Sequence, residues 1–182
     1  MSNTIGFLEL NSVARGIYAA DAMLKAADVK LLRASANCPG KYNILISGEV
    51  AAVNAAVEVG AQIGGPNVIE QLVIPRLHPQ VIHAMGGTTM PDKLDAVGVL
   101  ECFSITSSIL AADSAVKATD VTLIDVRLGT GLGGKSFLVM TGDTAAVSEA
   151  VERAAAVVAK SGMLLETAII PNPRKEIFEA LL

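Results

Sequence analysis

The sequence predicts an α/β protein of the α+β kind, two tandem ferredoxin-like β-α-β-β-α-β units joined by a short linker. The first observation behind this is an internal repeat. Ile5-Gly-Phe-Leu-Glu9 returns as Val97-Gly-Val-Leu-Glu101, and Ala20-Asp-Ala-Met-Leu-Lys-Ala-Ala-Asp-Val29 returns as Ala112-Asp-Ser-Ala-Val-Lys-Ala-Thr-Asp-Val121, both displaced by 92 positions. Gly40-Lys41 returns as Gly134-Lys135 and Gly48 as Gly142 at a displacement of 94, so the second copy carries two extra residues between Val121 and Gly134. Pro75 then matches Pro171. A unit of roughly 90 residues has been duplicated, which places domain boundaries at 1–90 and 93–182. The second observation is that short strand-like runs and helix-periodic runs succeed one another in the same order in each copy.

Thr4–Leu10 alternates weakly and reads as a strand. Ser12 is an N-cap for a helix through Ala27, with Ala19, Ala20, Met23, Leu24 and Ala27 on its apolar face. Lys30–Ala36 is a strand. Asn37-Cys-Pro-Gly-Lys41 is a turn, because Pro and Gly punctuate it. Tyr42–Ser47 is the next strand. After Gly48, Val50, Val53, Ala56, Val57 and Ala61 recur at helical spacing, and Gly64-Gly65-Pro66 stops that helix. Leu72–Ile74 is the last strand, Pro79–Met85 a short terminal helix, and Gly86–Asp92 the linker. The second copy reads the same way, with strands at Val121–Leu128 and Ser136–Gly142.

Composition narrows the function. The chain has 182 residues, is 52% hydrophobic with a mean hydropathy of +0.52, and has only 3% aromatics. Units this small bury only about 60% of their unfolded surface when alone. So apolar a chain is expected to bury more against its other half and against further subunits. The longest uncharged run, Leu77–Pro91, contains His78, Gln80, His83 and two Gly, so it is no membrane span. The N-terminal Met-Ser-Asn-Thr-Ile lacks the basic start of a secretory signal, and two cysteines fit a reducing cytoplasm better than a disulfide framework. A net charge of −4 without a Lys/Arg run leaves nucleic acid no electrostatic footprint.

Gly129-Thr-Gly-Leu-Gly-Gly-Lys-Ser136 matches the phosphate-cradling pattern G-x-x-x-x-G-K-[ST]. That motif needs a helix after the loop, since the helix N-terminus holds the phosphate. Here the loop leads into a strand, so the match reads as a Gly-rich hairpin loop; a phosphate- or nucleotide-binding regulator is the alternative function from a different class. His78 and His83 are five apart and would point away from each other on a helix, so they make poor co-ligands and read as surface or interface residues. Glu9 and Glu101 each close a strand, and their duplication favours a structural role. Cys102 reads as a small buried side chain. No catalytic constellation stands out, and the chain reads as a non-enzyme.

Cys38 differs. It lies in Asn37-Cys-Pro-Gly-Lys41, and the second copy has no Cys in its equivalent loop. A lone loop cysteine is usually an exposed thiol. In a three-fold ring with this loop near the axis, however, three thiolates would converge, and a [4Fe–4S] cubane has a three-fold axis through one iron. Three Cys38 ligands would then hold one cluster per trimer and leave the fourth iron a non-cysteine ligand.

These residues resemble a known family, the bacterial microcompartment shell proteins. The resemblance rests on Ile5–Glu9, Asp21–Val29, the loop before the strand ending at Gly48, the helix Val50–Val57, and Val73-Ile-Pro75 with His78-Pro79, and it recurs through the second half. It implies the tandem type without circular permutation, whose trimers mimic the hexamers of single-domain relatives and tile flat shell facets inside the cytoplasm with other shell proteins. Cys38-Pro-Gly-Lys41 resembles the pore loop of the iron–sulfur member of propanediol-utilisation compartments. That implies a pore lined by Asn37, Cys38, Pro39, Gly40, Lys41, Gly131, Gly133 and Gly134, with Cys38 as cofactor and metal ligand. It also implies electron transfer across the shell, to an encapsulated or cytoplasmic redox enzyme, or cluster recycling. A metabolite-conducting tile without a cluster is the alternative within the family. The resemblance puts Lys25 and Lys117 at the edges where tiles meet. Ser114-Ala-Val in place of Ala22-Met-Leu implies that the two edges differ.

Overall fold

A computed structural model describes residues 4–88, 91, 95–129 and 131–179. The expected linker residues Thr89, Met90 and Asp92, together with Met1–Asn3 and Thr130, lie outside them. The elements run β1 (Thr4–Leu10), α1 (Val13–Ala26), β2 (Val29–Asn37), β3 (Lys41–Gly48), α2 (Val50–Gly64), β4 (Val68–Ile74), α3 (Pro79–Gly86), β5 (Ala96–Cys102), α4 (Ile105–Ala118), β6 (Thr122–Arg127), β7 (Ser136–Gly142), α5 (Thr144–Ala159), β8 (Leu164–Pro171) and α6 (Lys175–Glu179). The sheets have strand orders β2-β3-β1-β4 and β6-β7-β5-β8, each antiparallel throughout. The two copies therefore share the β-α-β-β-α-β order and the sheet order, and even their irregularities. The register shifts between Leu31 and Arg33 and again between Leu123 and Asp125.

Local chemistry explains the boundaries. Ser12 Oγ accepts from Arg15 N at 3.3 Å, Ser104 Oγ from Ser107 N at 3.1 Å, and Asp143 Oδ1 from Ala146 N at 2.8 Å. Each satisfies an N–H that an unaided first turn would leave unpaired. In the first sheet, Leu8 and Leu10 face the helices and pack with Met23, Ile44, Ile46, Val53 and Ala56. Gly6 lies on that face because a Cβ there would come within 2.7 Å of Val53 and Val57; Gly98 repeats the close approach against Val151 and Val147. Helix and sheet can pack this closely only where a side chain is missing.

Some expectations needed correction. Leu24 is exposed, because it lies ~90° around α1 from the centre of the buried set Gly16, Ala19, Ala20 and Met23. Val50, the first residue of α2, is also exposed. The strand expected at Leu72–Ile74 begins at Val68, since the break after α2 is a single 3-10 turn over Gly65–Asn67. Gly86, expected in the linker, closes α3.

The chain divides into two bodies. The first ends at Leu77 and also takes in Gly129–Gly134; the second holds His78–Leu128 and resumes at Lys135. This division matters for function in two ways. The Gly-rich loop belongs to the body that carries Cys38. α3, which comes after the first repeat in sequence, lies along β6. Gln80 secures it there, accepting from Leu123 N at 3.0 Å and donating to Val121 O at 3.4 Å.

Candidate functional site: two hairpin loops and the ion pair beneath them

The β2–β3 turn is closed by the register pair Asn37 and Lys41, and Gly40 N donates to Asn37 O at 2.9 Å. Gly40 has φ +95, a left-handed conformation that suits glycine, and the Cys38–Pro39 peptide is cis. Cys38, Pro39 and Gly40 are exposed, and Cys38 is a free thiol.

The β6–β7 loop is the second hairpin. Gly131, Gly133 and Gly134 have φ +75, +61 and +85. β7, not a helix, comes directly after it, so the phosphate-cradle pattern lies on a hairpin, as expected. The loop meets the first turn at Gly134. A Cβ there would stand 2.8 Å from Pro39 Cδ, 3.2 Å from Cys38 O and 3.3 Å from Lys41 Cε. Lys41 Nζ donates to Gly134 O at 3.1 Å. Gly134 thus lies against Pro39, Lys41 and the Cys38 carbonyl. Asn37 and Gly40 belong to the same turn, while Gly131 and Gly133 are exposed.

Beneath the turn is a residue whose role sequence reasoning understated. Glu9 is fully buried, and Lys41 Nζ lies 3.0 Å from its Oε1. Asn43 stands opposite Glu9 in the β1–β3 register and is also buried, and among the described residues its side-chain amide has no hydrogen-bond partner. The signal was present in the repeat, since Glu9 and Lys41 recur together as Glu101 and Lys135. The second pair is looser: Lys135 Nζ is 3.8 Å from Glu101 Oε2, and both side chains are at least 40% exposed.

The other candidates lie elsewhere. His78 caps α3, its Nδ1 accepting from Gln80 N at 3.3 Å, and its own N–H donates to Asp113 Oδ1 at 2.8 Å. His83 is exposed on α3. Cys102 is buried. Lys25 pairs with Asp21 at 2.6 Å with both side chains well exposed; Lys117 pairs with Asp113, which is 8% exposed because the start of α3 sits on it. The two helix edges are therefore unlike. Among the described residues no three His, Cys, Asp or Glu side chains gather to hold a metal within one chain.

The BMC domain matches this chain twice, over residues 4–77 and 96–173. The chain belongs to that family. It is 40% identical, over its full length and 98% of the relative, to the bacterial microcompartment shell protein PduT of Citrobacter freundii. It is 37% identical over 89 residues, 47% of this chain and 86% of the relative, to the carboxysome shell protein CsoS1 of Prochlorococcus marinus. Among solved structures it resembles a microcompartment protein of Desulfitobacterium hafniense, with 45% identity and a TM-score of 0.86 over 97% of this chain and 98% of the other. The chain is a structural shell protein with two tandem BMC domains. Among its described residues no helix is long and apolar enough to cross a membrane.

Proposed function

We propose that the chain is a non-catalytic shell tile of a cytoplasmic microcompartment, a pseudohexameric homotrimer carrying one [4Fe–4S] cluster at its pore. Cys38 of three copies would hold it. A thiolate is the donor such a cluster takes, and Cys38 is exposed, on a turn, and present in only one of the two loops. Duplication supports this stoichiometry, because a ring of identical single repeats could offer six thiols or none. The cluster supplies one-electron transfer, here across the shell to an encapsulated or cytoplasmic redox enzyme. The similarity to PduT supports propanediol utilisation as the enclosed pathway.

The trimer is supported by a difference between the repeats. Val13, Ile17, Leu31 and Leu32 are exposed, whereas their equivalents 92 positions on, Ile105, Ile109, Leu123 and Ile124, are buried. β6 has α3 along it; β2, its counterpart, is open at both leucines. The segment equivalent to α3 is α6, and a second copy of the chain would bring α6 to β2 as α3 comes to β6. Three such steps close the ring, and the outward Lys25 and Lys117 edges are then free to meet other shell proteins.

Anaerobic iron counting with EPR of wild-type and Cys38→Ser protein tests the reading. Iron near four per trimer, lost on substitution with the trimer intact, supports it. Only trace iron in the wild type leaves a metabolite-conducting tile as the better account.

A further inference from the structure

We propose that Lys41, braced by Glu9, is a positioning residue that clamps the two hairpin loops together and so sets where Cys38 stands. Two contacts of one ammonium group carry the clamp. It lies 3.0 Å from the carboxylate of Glu9 in β1 and donates at 3.1 Å to the carbonyl of Gly134 in the opposite loop. Its side chain is 16% exposed and that of Glu9 is fully buried, so both contacts are formed largely out of water. A charge-assisted bond in such surroundings is among the stronger a side chain makes, and a buried carboxylate holds its cation in place. Lys41 is three residues from Cys38, at the other end of a turn closed by Gly40 N and Asn37 O. With Gly134 against Pro39 and the Cys38 carbonyl, the turn has a fixed wall on one side and a fixed anchor beneath it. Lys135, the equivalent lysine, holds its glutamate at 3.8 Å from a half-exposed position, so the repeat has kept the residues but tightened only the pair beneath Cys38.

The consequence for iron rests on the reading of Cys38 as a ligand; the clamp itself is testable in iron-free protein. The variants are Glu9→Gln/Lys41→Met, which removes both charges together, and Lys41→Arg, which keeps a cation able to reach both acceptors. Hydrogen exchange by mass spectrometry on the iron-free trimer is expected to rise roughly tenfold in peptides covering 37–41 and 131–135 of the double variant. Exchange elsewhere, trimer mass and melting temperature should stay near wild type, and Lys41→Arg should restore most of the protection. A purely structural pair would raise exchange throughout the first body. After anaerobic reconstitution, the double variant should hold less than half the wild-type iron although Cys38 is intact. Should the double variant not trimerise, Glu9→Gln, which leaves the bond to Gly134, should give a smaller rise in the same two peptides. Unchanged exchange in both loops, or loss of the trimer in all three variants, overturns the clamp. Absence of iron from the wild type with loop exchange raised as expected sinks the cluster reading alone.

Discussion

The two repeats share a fold to the level of matching bulges, yet one is closed and the other open. In the second, Leu123 and Ile124 are buried and α3 lies along β6; in the first, Leu31 and Leu32 face solvent on β2. The loops differ in a complementary way. The first carries a thiol and a tight ion pair, and the second carries glycines and is followed by the lysine of a loose one. Duplication thus separates two tasks that a single repeat must perform at once. One copy can specialise its loop chemistry while the other supplies a small-residue wall beside it. An apolar position can be buried by the chain itself in one copy and left for a partner in the other.

The comparison breaks most sharply at cysteine. Cys38→Ser is expected to abolish bound iron and its EPR signal, and Cys102→Ser to keep both, because only Cys38 is exposed. Iron that survives in Cys38→Ser ends the redox reading. The next test puts one change at equivalent positions. Leu123→Asp buries a carboxylate without a partner and should cost several kcal/mol (roughly 3–5), enough to unfold the chain. Leu31→Asp starts from an exposed site and should leave a folded monomer in place of the proposed trimer. Mass in solution and thermal melting distinguish the two outcomes; the same failure at both positions would mean that the repeats do not differ as an open and a closed copy.

Edge variants sharpen the contrast. Lys25→Ala and Lys117→Ala should each leave the trimer intact, shift stability by less than ~1 kcal/mol, and weaken two-dimensional sheets seen by electron microscopy. Lys25→Ala should do more damage, since its side chain is 74% exposed against 43% for Lys117. Unchanged sheets in both variants and in the double would remove the lysines from the assembly. The smallest effect belongs to Lys135→Ala. Stability should stay within about 0.5 kcal/mol and no ATP or GTP affinity should appear in either form, as expected of a hairpin. Micromolar binding that this change removes would favour a nucleotide-binding regulator instead.

Much of the fold was legible because duplication let each copy check the other. Thr4–Leu10 and Ser136–Gly142 are strands with the bounds their patterns suggest. Local patterns failed where burial is decided by distant chain. Leu31 and Leu123 look alike in sequence, and only the position of α3 and the open edge of β2 tell them apart. The candidate site was half visible. Cys38 stands out as the unmatched residue of a matched loop. The link from Lys41 to Gly134 spans 93 positions and obeys no periodicity. Its trace in the sequence is indirect, a glutamate and a lysine that return as a pair.

The contact of α3 with β6 also bears on how assembly responds to dilution. A ring of six separate single repeats would form with a sixth-power dependence on protein concentration. Three tandem chains that make this contact internally already hold three of the six joins at the high effective concentration of a tether, so the ring forms with only a third-power dependence. The proposed trimer should therefore persist at concentrations where a ring of unlinked repeats has come apart, and a centre that needs three thiols at once would gain from that persistence.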